Sequence, residues 1–243
     1  MDALIYTALS GAERALRSQQ VHANNLANME TGGFRANFEL ASTQSLSAYG
    51  YGYDDRHMAQ MEASAIVGRP GTIKETGREL DVAVAGEGYL AVQWQNGEAY
   101  TRAGALELDA NGALSVLGHP VLGEGGPIVL PLHTSMAIGQ DGTVSIQVPG
   151  SATMQTVDKL KLVRSETSEL TKNEAGLIVA RSGEPLAADA TVALRGRHLE
   201  GSNVSAVEEM IATMSLNRSF EMQMKLFKAS DSMNETGNRL INT

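Results

Sequence analysis

The stretch HANNLANMETGGF, residues His22 to Phe34, places three asparagines and a Gly-Gly pair directly after a run of helical pattern. Asparagine tolerates left-handed geometry and caps backbone groups, and glycine permits positive φ, so the composition predicts an abrupt helix stop followed by a turn. The alternative is a polar reactive site, but no nucleophile or base accompanies the asparagines in a recognisable arrangement. Asn24, Asn25, Asn28, Gly32, Gly33 and Phe34 are therefore read as a hinge between two kinds of structure.

Upstream of the hinge, Asp2 to Asn28 holds no proline and one glycine. Ile5, Leu9, Ala12, Leu16, Ala23 and Leu26 recur at steps of three and four, interrupted at Gln19. This spacing predicts an amphipathic helix with a coiled-coil seam, too short to stand without a partner. Downstream, residues 36–71 are rich in Ser, Tyr, Gly and Met, with weak periodicity, and read as an extended connector. Residues 72–200 change to short β-branched runs such as LDVAVAG and TVSIQV. Asn96-Gly97, Asn111-Gly112 and Asp141-Gly142 punctuate them, which predicts an inserted antiparallel all-β domain.

Residues 201–243 return to helical pattern, with Ser202, Asn203 or Ser205 as N-cap and a Ser205 to Glu208 capping box as one register. One apolar row contains Val207, Ile211, Met214 and Met222, interrupted by Arg218. A second contains Leu216, Phe220, Met224 and Phe227. A surface helix of a monomer needs one stripe, so two stripes predict cover from two sides. The amino-terminal helix, residues 1–35 with its turn, is expected to cover the first row through Leu9, Leu16 and Leu26, leaving the second for neighbouring subunits. The fold class is thus α+β, with both terminal helices in one coiled-coil-like layer and a β domain inserted between them.

The chain has 243 residues, 42% of them apolar, a formal net charge of -9 and no cysteine. The acidic balance argues against a nucleic-acid partner, whose backbone demands a Lys/Arg excess. Without cysteine there are no disulfides, thiolate metal sites or thiol nucleophiles. No apolar run approaches the ~20 residues that span a bilayer, and MDALIYTALSGAERALR lacks the pattern of a cleavable signal.

Motifs that carry chemistry are few. The Asp54, Asp55 and His57 cluster in the connector lacks the further ligands of a metal site and reads as a solvated loop. His22, His119, His133 and His198 stand singly. No G-x-S-x-G elbow is present, and Gly86, Gly88 and Gly123–Gly126 precede strand pattern, so they read as turns rather than phosphate loops. No catalytic residue, cofactor or metal is expected.

NNLANMETGGF resembles the amino-terminal signature of the bacterial flagellar basal-body rod proteins, with Gly32 where proline is usual and Phe34 in the aromatic position. RELDVAVAGEGYLAV, YTRAGALELDANGALSVLGHPVLGEGGPIVLP and LEGSNVSAVEEMIATMSLNRSFEMQMKLFKASDSMNE resemble the family's central and carboxy-terminal blocks. The opening MDALIYTALSGA and the short connector are most similar to its proximal-rod members, with the distal-rod and hook-type axial proteins as the alternative. The resemblance implies a structural subunit, exported through the flagellar type III apparatus. It would stack helically with its own copies and other rod proteins in a shaft crossing the periplasm, carrying torque for motility. An extracellular β-rich binding protein and a hydrolase using Asp54, Asp55 and His57 are the readings from other classes; neither explains two amphipathic ends around one body.

Overall fold

Both ends of the chain form the long helices that their uninterrupted spacing predicts. The computed structural model describes residues 2–46, 56–95, 97–151 and 153–241. Helix α1 spans Asp2–Ala27 and α2 spans Ala206–Ile241, 26 and 36 residues respectively. Ser205 is the N-cap of α2: its carbonyl accepts from Glu209 N–H at 3.0 Å and its hydroxyl from Glu208 N–H at 3.5 Å. Glu208 and Glu209 place negative charge at the positive end of the helix dipole.

The chain divides into two compact units. The first gathers residues 1–27, 37–64 and 205–243, and contains α1, α2 and a two-stranded ribbon of Asn37–Leu46 and Arg56–Ile66, the last two residues of which belong to the second unit. Residues 36–71, read from sequence as an extended connector, therefore hold paired strands. His57 falls in the second of them; Asp54 and Asp55, with the YGYGYDD stretch, lie outside the described residues.

Within this unit α1 and α2 pack against each other. His22, near the end of α1, meets Glu209 near the start of α2, while Gly11 faces Gln223, so the helices run antiparallel. Their contact is built from small side chains: Ala8, Ala12 and Ala15 are the buried apolar residues of α1.

The second unit takes residues 28–36 and 65–204 and is almost wholly β. Its central sheet has the strand order Leu162–Val163, Tyr89–Trp94, Gly97–Thr101, Ile178–Ala180, Leu170–Lys172, all antiparallel. YLAVQW is buried from Tyr89 to Val92 because both faces of the sheet are covered. Successive side chains point to opposite faces, so Leu90 and Val92 enter one core with Val82, Leu106, Leu114 and Val144. Tyr89 and Ala91 enter the other with Tyr100, Leu170 and Ile178.

A second sheet orders Ser135–Ile138, Thr143–Gln147 and Met154–Lys159. Its first hairpin turns at Asp141-Gly142, as the dipeptide predicts: Gly142 has φ +88° and Asp141 Oδ1 accepts from Thr143 N–H at 3.2 Å. Gly112 of Asn111-Gly112 is likewise left-handed, whereas Asn96 lies outside the described residues.

Candidate functional site

The helical pair leaves its largest apolar side chains uncovered. Leu9 and Leu16 are each 46% exposed, and Ile211 and Met214 63%. Val207 and Met222 are equally open, and Ile5 and Leu26 are half-buried. Within one chain, therefore, Leu9 and Leu16 are not buried against Val207, Ile211, Met214 and Met222. The seam of α1 runs one position earlier, through Ala8, Ala15 and His22, a rotation of about 100° at 3.6 residues per turn. Small residues let two backbones approach closely, and the leucines turn outward as a result.

On α2 the two rows exchange roles. Glu209 and Gln223, which touch α1, are fourteen positions apart, and Leu216 stands midway between them on the same line. Leu216 and Phe220 are half-buried on this inner side, while Met224 and Phe227 are exposed. The uncovered surface is therefore the row of Val207, Ile211, Met214 and Met222, joined by Leu9 and Leu16 of α1. Such an apolar display is far more than a lone helical hairpin in water should carry.

Polar side chains fix the pair at its hinge end. Asn25, 1% exposed, bonds the backbone of Asn37 in both directions: its Nδ2 donates to Asn37 O at 3.0 Å and its Oδ1 accepts from Asn37 N–H at 2.8 Å. Its Nδ2 also donates to Glu209 Oε1 at 3.1 Å, and the other Glu209 oxygen meets His22 Nδ1. Of the three asparagines in the opening stretch, Asn25 thus ties α1, the ribbon and α2 together. Asn24 is an exposed residue of α1.

In the second unit the turn after the hinge forms a neck from three chain segments. Asn28 and Thr31 close a turn, with Thr31 N–H to Asn28 O at 3.2 Å and the Thr31 hydroxyl to Asn28 Oδ1 at 3.1 Å. Gly33 N–H donates to Glu200 O at 2.8 Å and Asn203 N–H to Phe34 O at 3.2 Å. Asn203 is not the helix cap. Its Oδ1 accepts from Ala36 N–H at 2.7 Å, and its Nδ2 donates to the carbonyls of Val67 and Arg69 at 3.1 and 2.8 Å.

The paired glycines are unlike. Gly33 has φ +69°, and a Cβ there would stand 2.2 Å from the backbone of Arg102 and Ala103. Gly32 is not left-handed, and its nearest neighbour would be Glu200 O at an ordinary 3.5 Å.

Beneath the neck lies a charge cluster that no sequence pattern announces. Arg35 Nη2 meets Glu200 Oε1 at 2.9 Å and Arg102 Nε stands 3.3 Å from Glu200 Oε2, with all three side chains at most 2% exposed. The second contact is ionic rather than an aligned hydrogen bond. Arg102 Nη1 donates to Val84 O at 3.1 Å, Arg35 holds the carbonyls of Gly68 and Arg69, and Gly71 N–H donates to Glu200 Oε1 at 2.8 Å. Burial, then the neighbouring Arg35, lowers Arg102 to about 10, against the pull of Glu200. Nearby, Lys172 donates to Arg35 O at 2.6 Å and sits 3.7 Å over the Phe34 ring. Burial lowers it to about 8.

Three further histidines make local contacts. His119 stacks edge-on against Trp94 at 5.0 Å, and the Nδ1 atoms of His133 and His198 face the carbonyls of Pro131 and Gly196 at 2.8 and 2.7 Å. Among the described residues no three metal-ligating side chains gather, and no helix is long and apolar enough to cross a membrane.

Comparison with known proteins follows this division. Residues 5–35 match the family described as flagella basal body rod protein, residues 83–146 the flagellar hook protein FlgE/F/G D1 domain, and residues 195–240 the flagellar basal body rod FlgEFG protein C-terminal. The chain is 38% identical to flagellar basal-body rod protein FlgF of Salmonella typhimurium over 250 residues, which cover 99% of each chain. Flagellar basal-body rod protein FlgF of Escherichia coli is similar to the same extent. Flagellar basal-body rod protein FlgG of Bacillus subtilis is 32% identical over 250 residues, covering 93% of this chain and 94% of that one.

Proposed function

The chain belongs to the flagellar basal-body rod protein family, and from that premise we propose that its exposed helical stripes build the proximal part of the rod. The protein is a structural subunit of the basal-body rod, assembled with other rod proteins. The observation that carries the reading is the contrast between the two units. The β unit gathers most of its large apolar residues in two closed cores, with Leu117, Val129 and Leu132 among those left outside, while the helical unit leaves Leu9, Leu16, Val207, Ile211, Met214 and Met222 open in rows along its helices. A helical pair with so much uncovered apolar surface is complete only among other subunits.

Head-to-tail contacts of two different faces repeat without closing, which gives a helical stack. Ile5, Leu26, Leu216 and Phe220 then lie nearer the seam within each subunit, and Met224 and Phe227 add to the outer contact. Torque passes through many such contacts in parallel. Delivery in an unfolded state by the flagellar type III export apparatus accords with a chain that carries no cysteine to mispair. The 38% identity to the FlgF of Salmonella typhimurium and Escherichia coli, against 32% to the FlgG of Bacillus subtilis, favours the proximal over the distal position.

The test is a chromosomal deletion in the source bacterium, complemented with the full chain, with swimming and micrographs of basal bodies as readouts. Loss of the rod and of motility, restored by the chain, is expected. A deletion strain that swims with complete basal bodies would overturn the assignment.

A further inference from the structure

We propose that the outer stripe of α1 in one copy docks on the outer stripe of α2 in a second copy of this chain, in the register that sets Glu13 against Arg218. The inference rests on the rod-subunit reading and adds to it the partner and the pairing.

The two stripes carry one interruption each. On α1, Tyr6, Leu9, Glu13 and Leu16 follow at steps of three, four and three, which puts them on one face, and all four are exposed. On α2, Ile211, Met214, Arg218 and Met222 follow at three, four and four and are exposed as well. A carboxylate sits between two leucines on the first stripe and a guanidinium between two methionines on the second.

Leu9 and Leu16 are roughly 10.5 Å apart along their axis, and Met214 and Met222 roughly 12 Å apart, at ~1.5 Å per residue. The hydrophobic pairs therefore meet when the charges do. Among the described residues neither Glu13 nor Arg218 has an ion pair in its own chain.

A second copy is the occupant that this complementarity selects, because each chain carries both stripes, one with a carboxylate between its leucines and one with a guanidinium between its methionines. The α1 seam of Ala8, Ala12 and Ala15 is a separate face, so docking leaves the hairpin intact. Methionine is unbranched and adaptable, which suits a partner of leucine and tyrosine. A charge pair closed off from water by apolar neighbours fixes register, since sliding by one turn strands each charge against hydrocarbon.

Because the chain lacks cysteine, the test is clean. One copy carrying Glu13→Cys and another carrying Arg218→Cys are expressed together in the deletion strain, and rods are isolated under oxidising conditions. A disulfide-linked dimer that requires both variants is expected. Absence of that dimer from intact rods, or a dimer that forms with either variant alone, overturns the register. Rods formed by the unaltered chain in parallel keep that failure separate from failure of the rod assignment.

Charge reversal gives a second readout. Glu13→Arg and Arg218→Glu should each lower the count of complete rods at least about tenfold, and the double reversal should restore most of it. Single reversals that assemble normally, or a double that assembles no better than either, would also overturn it.

Discussion

Replacing Glu200 by glutamine keeps the shape of the neck and removes its only buried negative charge. Arg35 and Arg102 would then face each other across a neutral amide. Glu200 contacts them at 2.9 and 3.3 Å, and Glu200 and both arginines are at most 2% exposed, so water cannot screen the loss. Breaking a buried pair by removing one partner costs about 3–5 kcal/mol, against a typical domain stability of about 5–15 kcal/mol.

With an m-value of about 2 kcal/mol per M urea, the midpoint should fall by roughly 1.5–2.5 M. The assay is urea unfolding of the purified chain followed by Trp94, the sole tryptophan, which packs against the larger core. A midpoint shift below about 0.5 M, under 1 kcal/mol at that m-value, would refute the view that the cluster holds the neck. The apolar triple Arg35→Met, Arg102→Met, Glu200→Leu should recover only part of the loss. The carbonyls of Gly68, Val84 and Gly86 would lose the donors that the arginines now supply, while that of Arg69 keeps only Asn203.

Gly33→Ala should destabilise the β unit by well over about 1 kcal/mol in the same urea assay, since the new carbon meets backbone in a left-handed residue, whereas Gly32→Ala should stay within about 1 kcal/mol of the parent. Lys172 holds its proton less tightly when folded, about 8 against 10.5, so the folded state binds fewer protons between those values and stability should rise with pH from about 8 towards 10. Thermal melts across that window should show the rise, and Lys172→Met should flatten it. Gly11→Ala should support normal swimming, because its Cβ meets only the mobile end of Gln223 at 2.7 Å, but Gly11→Leu should separate the helices and reduce rod number by at least about tenfold in micrographs.

The helices, the hinge and the β insertion were legible in the sequence because each rests on local signals: spacing without proline, an Asn and Gly cluster, Asn-Gly and Asp-Gly turns. Seam register was not. A heptad reading selects the largest apolar residues as the buried set, and it chose Leu9 and Leu16 where the chain buries Ala8 and Ala15. Large residues left outside make sense only with other chains present, which one sequence does not display.

The Arg35, Glu200 and Arg102 cluster was invisible for a different reason. Lone charged residues read as solvated, and nothing near any of them in the chain names a partner so distant. Asn203 is one of three candidate helix caps by position, beside Ser202 and Ser205, yet its amide answers three backbone groups of the neck. The difference between Gly32 and Gly33 likewise comes from the Arg102–Ala103 backbone, 2.2 Å from where a Cβ at Gly33 would stand, not from the dipeptide.

The neck makes the β unit a cassette. The chain passes between the two units four times, after residues 27, 36, 64 and 204, and residues 33–36, 67–69 and 200–203 beside three of these crossings are bonded to one another within the β unit, so that body is closed on itself. Loops in that body can lengthen or be exchanged without altering the residues from which the helical hairpin is made. One helical pair is thereby free to accompany bodies of different size and surface.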